Sequence, residues 1–178
     1  MKNTFRIMIQ TTFLIIGAIL ISPELKAQSD VTNPKYQKDV MSLDAIMTAY
    51  YEVVSGPKGQ ERDWERDNYL HLPSAKIWII GEDKNGNATV APMSLKEYHD
   101  SSGSLAANGF FEKEISRKVE QFGHLTQVWS SYEWRSTAKG EVGGRGINSI
   151  QLYNDGKRYW IMSWTFDSER PNNQIKKN

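Results

Sequence analysis

The chain changes period halfway along its length. Leu43, Ile46, Met47, Tyr50 and Val54 fall on one face at 3.6-residue spacing, whereas Gly109 to Glu169 is nearly all alternating strand pattern. Helices followed by strands predict an α+β domain with one curved antiparallel sheet wrapped on N-terminal helices. The strand faces mix Trp and Met with Arg, Ser and Gln, which fits a lined pocket better than a dry core.

The 178 residues suffice for one domain with a sizeable core. Residues 1–27 read as a secretory signal. Lys2 and Arg6 form the positive start, Ile7 to Ile21 the apolar run, and Leu25-Lys26-Ala27 the exit before Gln28. Gln10, Thr11 and Thr12 interrupt a run already short of the ~20 residues a membrane span needs, so an exported, unanchored protein is expected after cleavage near Ala27. Removing that segment leaves 19 basic and 20 acidic side chains. Such balance gives nucleic acid or an acidic membrane no reason to bind. The chain has no cysteine, which excludes disulfides, thiolate metal sites and a Cys nucleophile.

Residues 28–41 are polar and aperiodic, a flexible leader to a domain spanning 42–169, and 170–178 form a polar tail. Ser42 caps the first helix, which ends near Ser55-Gly56-Pro57; a second runs from about Gln60 to Tyr69. The run Glu61 to Asp67 reads as a solvated face, with Asp63 and Asp67 on one side as weak cation ligands. A hairpin joins Ala75–Gly81 to Ala88–Ala91, and Ser94 with Glu97 makes a capping box for a brief helix through Tyr98 and His99. The segment from Ser101 to Gly109 reads as a loop. Strands follow at about Phe110–Gln121, Leu125–Ser136, Arg145–Tyr153 and Arg158–Asp167, and the glycines between 140 and 146 mark a hairpin loop.

A two-residue turn at Asp155-Gly156 pairs Tyr153 with Arg158, Gln151 with Trp160, Ser149 with Met162 and Ile147 with Trp164. Arg145, Ile147, Ser149, Gln151, Trp160, Met162, Trp164 and Phe166 then share one face, taken as the inner one. Apolar residues on both faces predict helices over one and a partner, a second copy, on the other.

The helix Leu43–Tyr51, the corner Tyr69–Ala75, the strand Gln127–Glu133 and Arg145–Leu152 with the Trp-rich last strand together resemble the nuclear transport factor 2-like superfamily, the fold of SnoaL-like polyketide cyclases, ketosteroid isomerases and scytalone dehydratases. The resemblance covers about residues 42–169. It implies a cone-shaped α+β fold with an internal apolar cavity, often dimeric through the outer sheet surface. Ser149 stands where ketosteroid isomerases carry a protonated acid, and Ser74 where many SnoaL-like chains carry Asp, so those chemistries do not transfer.

The candidate ligand-binding residues are Tyr50, His71, Tyr98, His124, Arg145, Ser149, Gln151, Met162 and Trp164. Tyr50, Ser149 and Gln151 offer hydrogen bonds, Arg145 a cation for an acidic group, Trp164 and Met162 an apolar wall. His71 and His124 are candidate bases, although lone histidines are more often structural. No metal motif and no cofactor are expected. The leading expectation is an exported binder of a small apolar or acidic molecule. The alternatives are a cofactor-independent dehydratase, isomerase or cyclase, and an interaction module acting through the outer sheet face.

Overall fold

The computed structural model describes residues 33–176. A helix α1 (Leu43–Val54) and a shorter α2 (Trp64–Leu70) lead into β1 (His71–Glu82) and β2 (Ala88–Ser94). Then come α3 (Leu95–Ser101), α4 (Gly103–Asn108) and the strands β3 (Phe111–Phe122), β4 (Leu125–Arg135), β5 (Gly144–Asn154) and β6 (Tyr159–Ser168). The six strands form one open sheet in the order β2-β1-β6-β5-β4-β3. The fold is α+β as expected, but the sheet is mixed. β3 to β6 form an antiparallel meander, and β1 joins its free edge parallel to β6.

Local chemistry sets the helix ends. The Ser42 hydroxyl accepts from Ala45 N–H at 3.1 Å and starts α1, whose Ile46, Met47, Tyr50, Tyr51 and Val54 bury against the sheet. Asp63 caps α2 by accepting from Arg66 N–H, and Ser94 and Glu97 close the capping box of α3 reciprocally. Ser102 to Asn108, expected as loop, instead carries α4 and turns into β3 at Gly109, whose φ of +76° suits only a residue without Cβ. Part of the segment expected as a flexible leader is packed. Tyr36 and Val40 pack into the core, and the Tyr36 hydroxyl donates to Asp63.

One buried cation ties the helices together. Arg62, in a run expected to be solvated, is 8% exposed. It donates to the carbonyls of Val54 (2.7 Å), Gln60 (2.6 Å), Gly56 (3.0 Å) and Leu105 (2.7 Å). Val54 ends α1, where carbonyls lack helical partners and the helix dipole favours a cation. Asp63 and Asp67 do not share a cation site, since the first caps α2 and the second is buried.

The β5–β6 register differs from expectation. Four residues, Asp155 to Arg158, form the connection, and Asn154 pairs with Tyr159. The Asp155 carboxylate accepts from the backbone N–H groups of Lys157 and Arg158 and from the Trp160 indole, which stabilises this wider turn. A bulge then shifts the register between Gln151 and Leu152, leaving Met162 as the extra residue.

Replacing Arg62 by Ala deletes four charge-assisted hydrogen bonds and strands buried carbonyls, so unfolding in urea should lose about 3 kcal/mol. A change within 0.5 kcal/mol would show that the four carbonyls find other partners.

Candidate functional site

Parity decides which side chains face inward. On β5 the helix-covered face holds Gly146, Asn148, Ile150 and Leu152, all buried. Arg145, Ser149 and Gln151 therefore stand on the opposite, outer face, contrary to expectation. The wider turn moves the pairing by two residues and keeps the faces; the bulge at Met162 supplies the single residue that places Trp164 opposite Ile150 rather than on the face of Ser149. Arg145 lies over Glu133 at 3.8 Å on that outer side. Met162 is exposed at the bulge. The same bulge brings both Ile161 and Trp164 inward, three residues apart.

Beneath α3 and α4, a hollow of about 310 Å³ opens against the inner face. Its walls are aromatic: Tyr50 from α1, Tyr98 from α3, Phe110 before β3, Trp134 from β4, Trp164 and Phe166 from β6. Trp164 meets Tyr50 edge-on at 5.9 Å and Tyr98 at 5.0 Å, the T-shaped geometry that aromatic quadrupoles favour. Polar groups reach the hollow from Asp67, Glu112, Tyr132 and Asn148. No Lys or Arg lines it.

His71 lies behind the wall. The Trp164 indole N–H donates to His71 Nε2 at 3.1 Å, and an indole N–H can only donate, so that nitrogen carries no proton. His71 is thus neutral, its Nδ1–H donating to the Asp67 carbonyl at 2.8 Å. Its role is to aim Trp164. The Asp67 carboxylate accepts from His99 Nε2 at 2.7 Å, and the His99 ring stacks on Trp64 at 4.4 Å. His124 sits in the exposed turn between β3 and β4, bonded to the Asn154 carbonyl, remote from this hollow.

Glu112 is the chemically distinctive group. Burial pushes its carboxyl up to about 7, opposed only by an N–H from Asn148 at 3.2 Å. It keeps some accessible surface because it lines two hollows, the aromatic one and a second of about 380 Å³ between α1 and β3. Burial also holds the protons of Tyr50 and Tyr98 on well above their ordinary value, so both phenols remain donors.

Of the nine residues expected at the site, Tyr50, Tyr98 and Trp164 line the hollow and His71 supports it. The other five lie outside. Sequence reasoning missed Glu112, Asn148, Asp67 and Trp134. The signal for three of them was parity: correct pairing places Asn148 of β5 inward, and Trp134 of β4 and Glu112 of β3 follow.

No protein-family model matches the chain, and no curated protein matches it in sequence. Solved structures do share its architecture. An NTF2-like protein of unknown function from Silicibacter pomeroyi aligns with a TM-score of 0.51 at 14% identity, over 71% of this chain and 92% of that one. A Mycobacterium tuberculosis protein of unknown function reaches 0.55 at 14% identity, over 72% and 70%. A Nostoc punctiforme protein of unknown function with a cystatin-like fold reaches 0.54 at 8% identity, over 73% and 94%. The chain has the nuclear transport factor 2-like fold. Likeness at this identity establishes the fold and leaves chemistry to the site itself.

A carboxyl whose folded value exceeds its unfolded one contributes stability that is complete below the unfolded value near 4.5 and lost as pH rises through about 7. Glu112→Gln removes that loss. Between pH 5 and pH 8 the variant should gain about 2 kcal/mol relative to the parent in urea unfolding. A gap that stays constant with pH would mean that Glu112 ionises freely.

Proposed function

We propose that the domain binds a small, uncharged, ring-containing molecule in the aromatic hollow, with the ligand's polar group directed at Glu112. The observation that carries this reading is the convergence of aromatic walls on one carboxyl that has no Lys or Arg beside it in that hollow. A carboxyl near neutrality donates to a carbonyl when protonated and accepts from a hydroxyl when ionised. An acidic ligand finds no counter-charge there, because Arg145 is on the other face. A larger hollow of about 590 Å³ lies on the outer face beside Trp129. The ligand is assigned to the smaller one because its walls are aromatic and its polar groups converge.

A second reading, an acid-base enzyme of the dehydratase, isomerase or cyclase kind, draws support from the same carboxyl. A group poised near 7 both takes and returns a proton at neutral pH, and the Tyr50 phenol is available to steady developing negative charge. In this reading Glu112, rather than His71 or His124, is the base.

The proposal extends to location and assembly. Lys2, Arg6 and the apolar run after them favour export, and residues 1–27 lie outside the described residues. Among the described residues no helix is long and apolar enough to cross a membrane. On the outer face Trp78, Thr165, Ser149 and Trp129 stand in register across four strands, with Trp78 42% and Trp129 53% exposed. Such a patch fits a second copy packed face to face.

Two measurements test this. A thermal-shift screen of neutral mono- and bicyclic phenols and ketones should find one that stabilises the domain by about 2.7 kcal/mol at 100 times its Kd, an effect lost in Trp164→Ala. Carboxylate analogues should give none. A screen without shifts, or shifts that survive Trp164→Ala, contradicts the cavity reading; chemical conversion of a bound compound selects the enzyme. Separately, Trp129→Lys should halve the sedimenting mass, and a parent protein already monomeric at micromolar concentration would exclude the dimer.

A further inference from the structure

A line of hydrogen bonds runs from the inner face to the outer rim of β3. Ser130 donates its only proton to the Glu114 carboxylate, which is ion-paired with Arg117 at 3.2 Å. The Ser130 oxygen lies 2.6 Å from the Tyr51 hydroxyl. With the serine proton committed, Tyr51 must donate to Ser130, and its oxygen is left able only to accept. The Asn148 carboxamide, 3.2 Å away, therefore presents its NH2 to Tyr51 rather than its oxygen. The second hydrogen of that NH2 points to Glu112 at 3.2 Å. Each orientation in the line follows from the one before, beginning at the ion pair.

We propose that the Glu114–Arg117 pair, through Ser130 and Tyr51, dictates which side of the Asn148 carboxamide meets Glu112, so that Tyr51 and Ser130 are positioning residues for the cavity's carboxyl. The inference rests on the reading of Glu112 as the working polar group of the hollow. Its consequence is directional. An N–H aimed at Glu112 favours the carboxylate, and a carboxamide oxygen aimed at it favours the acid. Reversing the line raises the pH at which Glu112 loses its proton.

Through-space electrostatics predicts the opposite for one substitution. Glu114→Gln removes a nearby negative charge and leaves Arg117 paired only with Asp44, and both effects lower the midpoint of Glu112. In the relay account the Gln amide donates to Ser130, the line reverses, and the midpoint rises. Tyr51→Phe changes no charge and frees the carboxamide to turn its oxygen to a protonated Glu112. The other ionisable groups around Glu112 are Asp67 from α2, Glu52 from α1, Lys113 on its own strand and Arg135 from β4. The phenols of Tyr50, Tyr98 and Tyr132 complete the set, and neither substitution alters any of these groups.

The experiment is a carbon-13 NMR titration of glutamate carboxyls in the intact protein, with Glu112→Gln identifying the Glu112 resonance. Glu114→Gln and Tyr51→Phe should each raise the Glu112 midpoint by about one pH unit. A midpoint that falls or stays in place in either variant overturns the proposal. Should Tyr51→Phe fail to fold, Ser130→Ala breaks the same line one link further on and carries the same expectation. The titration needs no ligand, so a failed ligand screen and a failed relay are read separately.

Discussion

Four backbone carbonyls around one guanidinium hold the arrangement on which the site depends. Arg62 has no carboxylate partner among the described residues; its charge is spread over the ends of α1, the following turn and α4. Gly56, inside that grip, exchanges both backbone hydrogen bonds with Phe110, the residue that leads into β3. The clamp therefore sets how α1 approaches β3 on one side and how α4 overhangs on the other. Glu112 lies two residues beyond Phe110, and Tyr50 one helical turn before Val54, so both ends of the hollow are placed by the same cation.

Inside this frame two carboxyl groups meet different fates. Asp67 is matched by donors: His99 bonds its carboxylate, and His71 bonds its carbonyl while aiming the Trp164 indole. That cluster joins α2, α3, β1 and β6, and it reads as scaffold. Glu112 is matched only by an amide, and burial makes its charge costly. Natural folds satisfy buried polar groups where stability is the only demand. A carboxyl left nearly alone at the base of an aromatic hollow is a local cost, and such costs collect where a ligand or a reaction needs them.

Much of the fold was legible because its signals are local. The Ser42 cap, the Ser94 and Glu97 capping box and the strand alternation each need only a few neighbouring residues. The site was less legible because it depends on parity between strands. Asp155-Gly156 has the form of a two-residue turn, but the Asp155 side chain reaches the Trp160 indole and holds a four-residue connection instead. That turn shifts the pairing by two residues and keeps the faces; it is the bulge at Met162 that puts Trp164 on the side of Asn148 and Ile150 and leaves Arg145, Ser149 and Gln151 outside. Arg62 and Asp67 looked like surface charges for a related reason. Leu105 and His99, which help satisfy them, lie more than thirty residues along the chain.

The most direct test of the account is an anomalous diffraction map from crystals soaked in 4-iodophenol. One strong iodine peak is expected in the hollow bounded by Tyr50, Tyr98 and Trp164, with the phenol oxygen within hydrogen-bonding distance of Glu112. Iodine confined to the outer face between Trp78 and Trp129, with the hollow empty, would contradict it.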